Sequence, residues 1–173
     1  MKKKSTPSTP SWCPPVSENE YLAAKVIVGA LNALMTVVFI SATVFIVKNV
    51  TYNYILLAPA VVLVTVLHTL IGILLSYSSR DFTSLLVNFI VYAFVFLMPS
   101  VLAAFGIISP DFAKYLIVLP PEASSIIIHA GFTNITAWKI LFGYGYLLVI
   151  SLLLYYFSVK PKFHEYLMKE MGV

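Results

Sequence analysis

The chain has very little charge and only one cysteine. Asp, Glu, Lys and Arg together make up 10% of its 173 residues, whereas an ordinary soluble domain has about 25%. A single cysteine cannot build a disulfide framework within the chain. These shortages exclude a soluble globular domain, a disordered chain, a coiled coil and a disulfide-stabilised secreted fold.

Apolar residues take the place of the missing charges. They form 60% of the sequence, and the mean hydropathy is +0.93. Four charge-poor stretches are long enough to cross about 30 Å of hydrocarbon. We predict spans at about 22–47, 53–77, 84–107 and 138–158. Their apolar runs do not alternate with the period of two that barrel strands need, so the sequence predicts an all-α integral membrane protein with four transmembrane helices.

Basic residues predict the orientation of the spans. With an even number of spans, the basic residues before the first span, in the loop after the second and in the tail all lie on one side, and cytoplasmic loops are the ones enriched in Lys and Arg. We therefore expect a multi-pass protein of the cell (plasma) membrane with both termini cytoplasmic, and no binding to nucleic acid. The predicted organisation is a flexible cytoplasmic segment at 1–16, a transmembrane domain at 17–160 and a cytoplasmic tail at 161–173.

The first span begins with the sequence Ser17-Glu18-Asn19-Glu20. This S-x-x-E pattern predicts a capping box, in which the Ser17 side chain accepts from the Glu20 amide and the Glu20 side chain accepts from the Ser17 amide. One interpretation is a plain helix start at the membrane surface. The other is a cytoplasmic contact element that docks on a partner.

Two further polar features interrupt the apolar pattern. His68 falls in the middle of the second span, where an ionisable group is a functional candidate. Because no predicted span contains a carboxylate to pair with it, we favour a neutral His68 bonded across helices to a Thr hydroxyl or a backbone carbonyl. Arg80 and Asp81 occupy the short turn after that span. They are either a topology anchor with a helix cap or a contact for a cytoplasmic partner.

The stretch 110–134 is too polar and too often broken by proline to be one span. We predict two short helices, at 112–119 and 122–130, joined near Pro120 and Pro121 and including His129 near the end of the second helix. They would form a re-entrant pair in the last external loop, packed against protein, with Glu122 near the outer interface. The alternative is a surface loop with an amphipathic helix.

Motifs for chemistry are missing from the sequence. It has no G-x-x-x-x-G-K-[ST] phosphate loop and no G-x-S-x-G nucleophile elbow. The three histidines and the single cysteine do not have metal-ligand spacing. We therefore expect no catalytic residues, no cofactor and no metal, and any use of ATP would depend on a partner.

Three stretches resemble the type 2 ABC exporter permeases, and most closely the fluoroquinolone-export-like permeases. The resemblance covers about residues 12–160. The first stretch is Pro-Pro-Val-Ser-Glu-Asn-Glu-Tyr-Leu-Ala-Ala-Lys at 14–25, similar to the family's cytoplasmic coupling loop. The second is the glycine-containing helix end and turn at 70–82, and the third is 99–125, similar to the family's external loop with Ile-Val-Leu-Pro-Pro at 117–121.

The resemblance implies a fold, a function and partners. The chain would be a permease subunit of an ABC-type exporter, coupled to a separate ATP-binding cassette ATPase. Its dimer partner would be a second permease chain, identical or different. The residues that would contact the ATPase are Ser17, Glu18, Asn19, Glu20, Tyr21, Arg80 and Asp81.

The family has two more spans before the coupling loop. We therefore expect a split or truncated half, with the missing spans supplied by the second chain. A non-transporting accessory or scaffold membrane protein is the alternative, and a membrane enzyme is disfavoured because catalytic residues are missing. A gene for an ATPase next to the gene for this chain would favour the permease over the scaffold protein.

Overall fold

A computed structural model of the protein describes residues 17–49, 52–163 and 166. The flexible segment predicted at 1–16 and most of the tail predicted at 161–173 lie outside the described residues. Within the described ranges the chain forms helices joined by turns, with no strand. Four of these helices are long and apolar enough to cross a membrane, which confirms the predicted all-α membrane fold.

Six helices follow one another along the described chain, two of them short. The long ones are α1 (Glu18–Lys48), α2 (Tyr54–Tyr77), α3 (Phe82–Ala104) and α6 (Ala137–Phe163), and the short ones are α4 (Pro110–Ala113) and α5 (Pro120–His129). A 3₁₀ turn, Lys114–Val118, continues α4 towards α5.

The ends of the long helices follow local chemistry. Helix α1 begins before the predicted residue 22 because Ser17 caps it. Helix α3 ends before the predicted residue 107, where Gly106 adopts a left-handed φ of 71° and the Ile107 amide donates to the Leu102 carbonyl. This six-to-one hydrogen bond is a Schellman ending, which needs a residue that tolerates positive φ.

Two long helices contain wide turns that the sequence pattern does not predict. Ala93–Leu97 in α3 and Leu154–Val159 in α6 are π-helical. Such insertions shift the faces that a helix presents and often occur at functional sites. The second one lies where α6 approaches the start of α1.

Helix α2 is the centre of the bundle, and α1, α5 and α6 pack around it. The main core joins α2, α5 and α6 through fully buried side chains. Helices α1 and α3 are peripheral, and no residue of α3 is buried within the described bundle. The core cluster consists of Ala60, Leu67, Ala123, Ile127 and Leu147.

The helix bundle has two ends, which we name by a residue at each. We call the level of Ser17, Tyr77 and Phe163 the Ser17 end, since contacts bring these three residues near one another. The other level is the Asn53 end, where the Asn53 amide donates to the Gly131 carbonyl over 3.0 Å. An even number of spans brings the start of α1 and the end of α6 to the same level.

Helix α5 enters the bundle and does not cross it. Its end lies at the Asn53 end, while Ala123 and Ile127 are buried against Leu147. Leu147 lies about 15 Å along α6 from the start of that helix, at 1.5 Å per residue. The chain therefore descends after α3 and returns through α5, as the predicted re-entrant pair requires and a surface loop does not.

Glu122 differs from its predicted position. We expected this carboxylate near the outer interface, because a helix N-terminus favours negative charge. The structure places it in the first turn of α5, nine residues before Gly131, which is about 14 Å from the Asn53 end along the helix. Helix α5 runs toward the Asn53 end, so its N-terminus lies farther from that end than its C-terminus.

Candidate functional site

The first turn of α1 carries the predicted capping box. The Ser17 Oγ accepts from the Glu20 amide at 3.3 Å, and the Ser17 amide donates to Glu20 Oε2 at 2.8 Å. Both residues are exposed. The backbone of Glu18 begins the helix, but its side chain lies outside what the structure describes. The turn is therefore capped at both positions and presents polar groups to its surroundings.

The same turn of α1 is also in contact with the last part of α6. The Tyr155 hydroxyl donates to Asn19 Oδ1 over 2.5 Å, although the two residues are 136 positions apart. The rings of Tyr21 and Phe163 lie 5.7 Å apart, and Lys25 Nζ lies 5.5 Å from the Tyr21 ring centroid. The start of the first long helix is therefore in direct contact with the last one.

An aromatic cluster connects α2 to these two helices. Tyr77 at the end of α2 lies 6.4 Å from Phe163, and it stacks on Tyr166 with the ring centroids 4.6 Å apart. Beneath the rings, Leu22, Leu70 and Val159 are buried together. Three helices are thus joined at the Ser17 end by side chains that sequence reasoning assigned to no site, apart from Tyr21.

The turn with Arg80 and Asp81 follows α2 by three residues. Asp81 caps α3, since its Oδ1 accepts from the Ser84 amide at 2.7 Å, and the Ser84 hydroxyl accepts from the amides of Arg80 and Asp81. These bonds confirm the predicted helix cap. Hydrogen bonds from the Ser84 amide, and then from its hydroxyl, lower the pKa of Asp81 from its ordinary value.

Replacing Asp81 with alanine is expected to loosen the start of α3 by about 1 kcal/mol, the usual loss for an N-cap. Hydrogen exchange at the Ser84 and Leu85 amides measures this. Asp81→Asn is the matched control, because asparagine caps equally well.

Since folding lowers the Asp81 pKa, the charged cap contributes stability above the unfolded pKa and loses it on acidification. Equal exchange in both variants would contradict the cap.

His68 bonds within its own helix. Its Nδ1 lies 2.9 Å from the Val64 carbonyl, one turn earlier in α2. Because a carbonyl only accepts, Nδ1 carries the proton in this bond. The bond to a carbonyl agrees with the structural interpretation, but it does not cross between helices as we expected.

The re-entrant residues lie apart from the Ser17 end. Pro120 and Pro121 are buried, and the Pro120 carbonyl accepts from the Ser124 hydroxyl at 2.7 Å. Glu122 is half-buried and makes no hydrogen bond or ion pair with the described residues. His129 is exposed at the Asn53 end. An ionisable side chain at the depth of Glu122 is a functional candidate.

Two tyrosines that sequence reasoning missed attach α6 to its neighbours, Tyr144 to the start of α2 and Tyr146 to the turn before α5. The Tyr144 hydroxyl donates to the Leu56 carbonyl at 2.6 Å, and the Tyr146 hydroxyl donates to the Val118 carbonyl. A tyrosine inside an apolar span needs a partner for its hydroxyl. The two tyrosines of the Gly-Tyr-Gly-Tyr sequence at 143–146 were therefore a signal for contacts at depth.

Comparisons with protein families, curated proteins and solved structures return no match for this chain. The assignment of a function therefore rests on the sequence resemblance and on the geometry of the Ser17 end.

Proposed function

We propose that the chain is a membrane-spanning permease subunit, or a split half of one, of an ABC-type exporter in the plasma membrane. It would have both termini cytoplasmic and would couple to a separate ATPase subunit. The observation that carries the proposal is the bond from Tyr155 to Asn19, because it connects an exposed, capped helix start to the last long helix. A coupling element needs this combination of an outward surface and an inward attachment.

The Ser17 end has the parts that coupling requires. Its outward surface carries the exposed polar residues Ser17, Glu20, Arg80 and Asp81. A push on this surface would reach α6 through Asn19 and the aromatic cluster. An ATPase can drive transport only if it binds two arrangements of the helices with different affinity. The ATPase would therefore contact the polar surface more strongly in one arrangement than in the other.

The peripheral helices suit a second permease chain. Helix α3 buries none of its most apolar 18-residue window, and α1 buries 6% of its own. Apolar faces of this kind contact lipid or another helix within a membrane. A second chain against α1 or α3 would supply the spans that the resemblance leads us to expect, and the two chains would enclose a pathway for a hydrophobic or amphipathic substrate.

A purification in mild detergent tests the proposal. We expect an ATPase chain to co-purify, identified by mass spectrometry, and its ATP hydrolysis to rise on assembly. Glu20→Lys together with Arg80→Glu is expected to abolish that rise, because both changes reverse charges on the proposed contact. Lys48→Glu is the matched control, since it reverses an exposed charge at the Asn53 end.

A scaffold or accessory protein remains the second candidate. The broad apolar face of α3 favours it, because a scaffold needs a surface for other membrane proteins. In that case other membrane chains would co-purify without an ATPase, and the charge reversals at the Ser17 end would leave their recovery unchanged.

A further inference from the structure

A cleft of about 390 Å³ lies between α1 and α6, with α2 as its floor. Its volume is within the range of small-molecule sites, about 300–1,000 Å³. Leu22 and Val26 form one wall, Leu152 forms the other, and Leu70 forms part of the floor. None of its lining residues is charged. Apart from the Ser151 hydroxyl, the inner part of the cleft is apolar and suits a hydrocarbon group.

Small side chains create this space. Ala23 on α1 and Ser151 on α6 both line the cleft. Larger residues at these two positions would fill the gap between the helices. The cleft is therefore a property of particular residues that substitution can remove.

The mouth of the cleft is polar and offers a free donor. Asn19 Oδ1 accepts from the Tyr155 hydroxyl, so the side-chain amide group is fixed in orientation. Its Nδ2 donates to no other described residue, and Asn19 is exposed. A ligand with a hydrogen-bond acceptor beside its hydrocarbon chain would pair with Nδ2.

The cleft runs along the bundle from its end toward its middle. Asn19 and Val26 are seven residues apart, about 10 Å along α1. A lipid acyl chain in a bilayer leaflet runs in the same direction, with its ester group near the interface. Exposed Lys160 and Lys162 follow Tyr155 on the same helix, and their charges favour an anionic headgroup.

We propose that this cleft binds one acyl chain of an anionic bilayer phospholipid, with the ester or phosphate oxygens at Asn19. The direction of the cleft, its uncharged walls, its donor and the two lysines that follow Tyr155 on α6 all favour such a lipid. The site goes beyond the proposed function, because it requires no ATPase. It also places the lipid beside the Asn19–Tyr155 bond.

Photolabelling of the full chain tests the site. The probe is phosphatidylglycerol with a diazirine in its acyl chain, in vesicles of phosphatidylethanolamine and phosphatidylglycerol. We expect mass spectrometry to find the label on peptides covering 19–26 and 151–155, above the level on the exposed part of α3. The same diazirine in phosphatidylcholine should label the cleft less.

Two variants test the geometry of the site. Ala23→Trp fills the cleft and is expected to remove the label, while Ala24→Trp, one position along on the lipid-facing side, is expected to keep it. Asn19→Asp keeps the acceptor for Tyr155 and removes the donor. It should lower labelling at least about fivefold, the equivalent of one hydrogen bond of about 1 kcal/mol.

Several results would overturn the proposal. One is a label that survives both Ala23→Trp and Asn19→Asp. Others are even labelling of every lipid-facing peptide, labelling by a diazirine fatty acid but not by the phospholipid, and cross-linking of the cleft to a second chain instead of lipid. Thermal unfolding of each variant in detergent identifies a folding defect. In the case that Ala23→Trp does not fold, the labelling of Asn19→Asp tests the site.

Discussion

Replacing Gly143 with alanine is expected to push α5 away from α6 and to destabilise the bundle by about 1–3 kcal/mol. A Cβ at Gly143 would lie 2.5 Å from Cγ2 of Ile127, and Ile127 is fully buried. Real Cβ atoms do not approach so closely, so the Ile127 side chain or the helix α5 that carries it must shift. Overpacking of a filled core has a cost in this range. Thermal unfolding of the purified chain in detergent measures it.

The same helix supplies a matched control. Gly145 lies two residues later, and a Cβ there would meet nothing within 4 Å. Gly145→Ala is therefore expected to stabilise α6 by about 0.5–1 kcal/mol, the usual gain from replacing a helical glycine. A loss of stability in this control would show that a side chain on α6 is destabilising even without a close contact, and the effect at Gly143 could then not be assigned to Ile127.

A second-site change tests the contact itself. Ile127→Ala removes Cγ2 and leaves a cavity, which alone costs about 2–5 kcal/mol. In the double variant the new Cβ at residue 143 has room, so Gly143→Ala should add no further loss. Strict additivity of the two single losses would contradict the close packing of α5 on α6.

Local signals predicted much of the fold. The charge-poor runs located the four long helices because spans must be apolar along their length. Ser17 and Asp81 could be identified as caps because a cap bonds a residue three positions away. The prolines at 120 and 121 predicted the break before α5. Each of these features depends on neighbours in the sequence.

Features that depend on distant residues could not be predicted. The bond from Tyr155 to Asn19 joins residues 136 positions apart, and no local pattern links them. The predicted position of Glu122 differed for the same reason. The distance of Glu122 from the Asn53 end depends on the direction in which α5 runs, and that direction is set by the packing of α5 on α6. The π-helical turn at Leu154–Val159 also has no sequence signal, yet it contains Tyr155.

These contacts account for what the sequence could predict of the candidate site. The sequence could name residues 17–21, Arg80 and Asp81 as a candidate contact, because polar residues that flank a span can be identified from the sequence alone. It could not show that Asn19 bonds Tyr155 and that the Tyr21 ring contacts Phe163, both on α6. The proposed coupling depends on that attachment, so the sequence could locate the surface but not its connection to the bundle.

Cysteine accessibility is expected to place both ends of the re-entrant segment on one side of the membrane. The background carries Cys13→Ser, which leaves no native thiol. Asp111→Cys breaks only an exposed ion pair with Lys114, which contributes little stability, and Asn134 is exposed. A membrane-impermeant maleimide added from outside should label both sites fully and should not label Ser78→Cys.

The physical reason is the path of the chain between α3 and α6. Helix α5 has ten residues, about 15 Å in length, which is half of the hydrocarbon thickness. Its end is bonded to the start of α2 at Asn53, so residue 134 must emerge at the level from which the chain descended after α3. Ile127→Cys should stay unlabelled until the protein is denatured, because that side chain is fully buried. If Asp111→Cys and Asn134→Cys were labelled from opposite sides, α4 and α5 would form a fifth crossing, and the re-entrant fold and the resemblance to the exporter permeases would both be wrong.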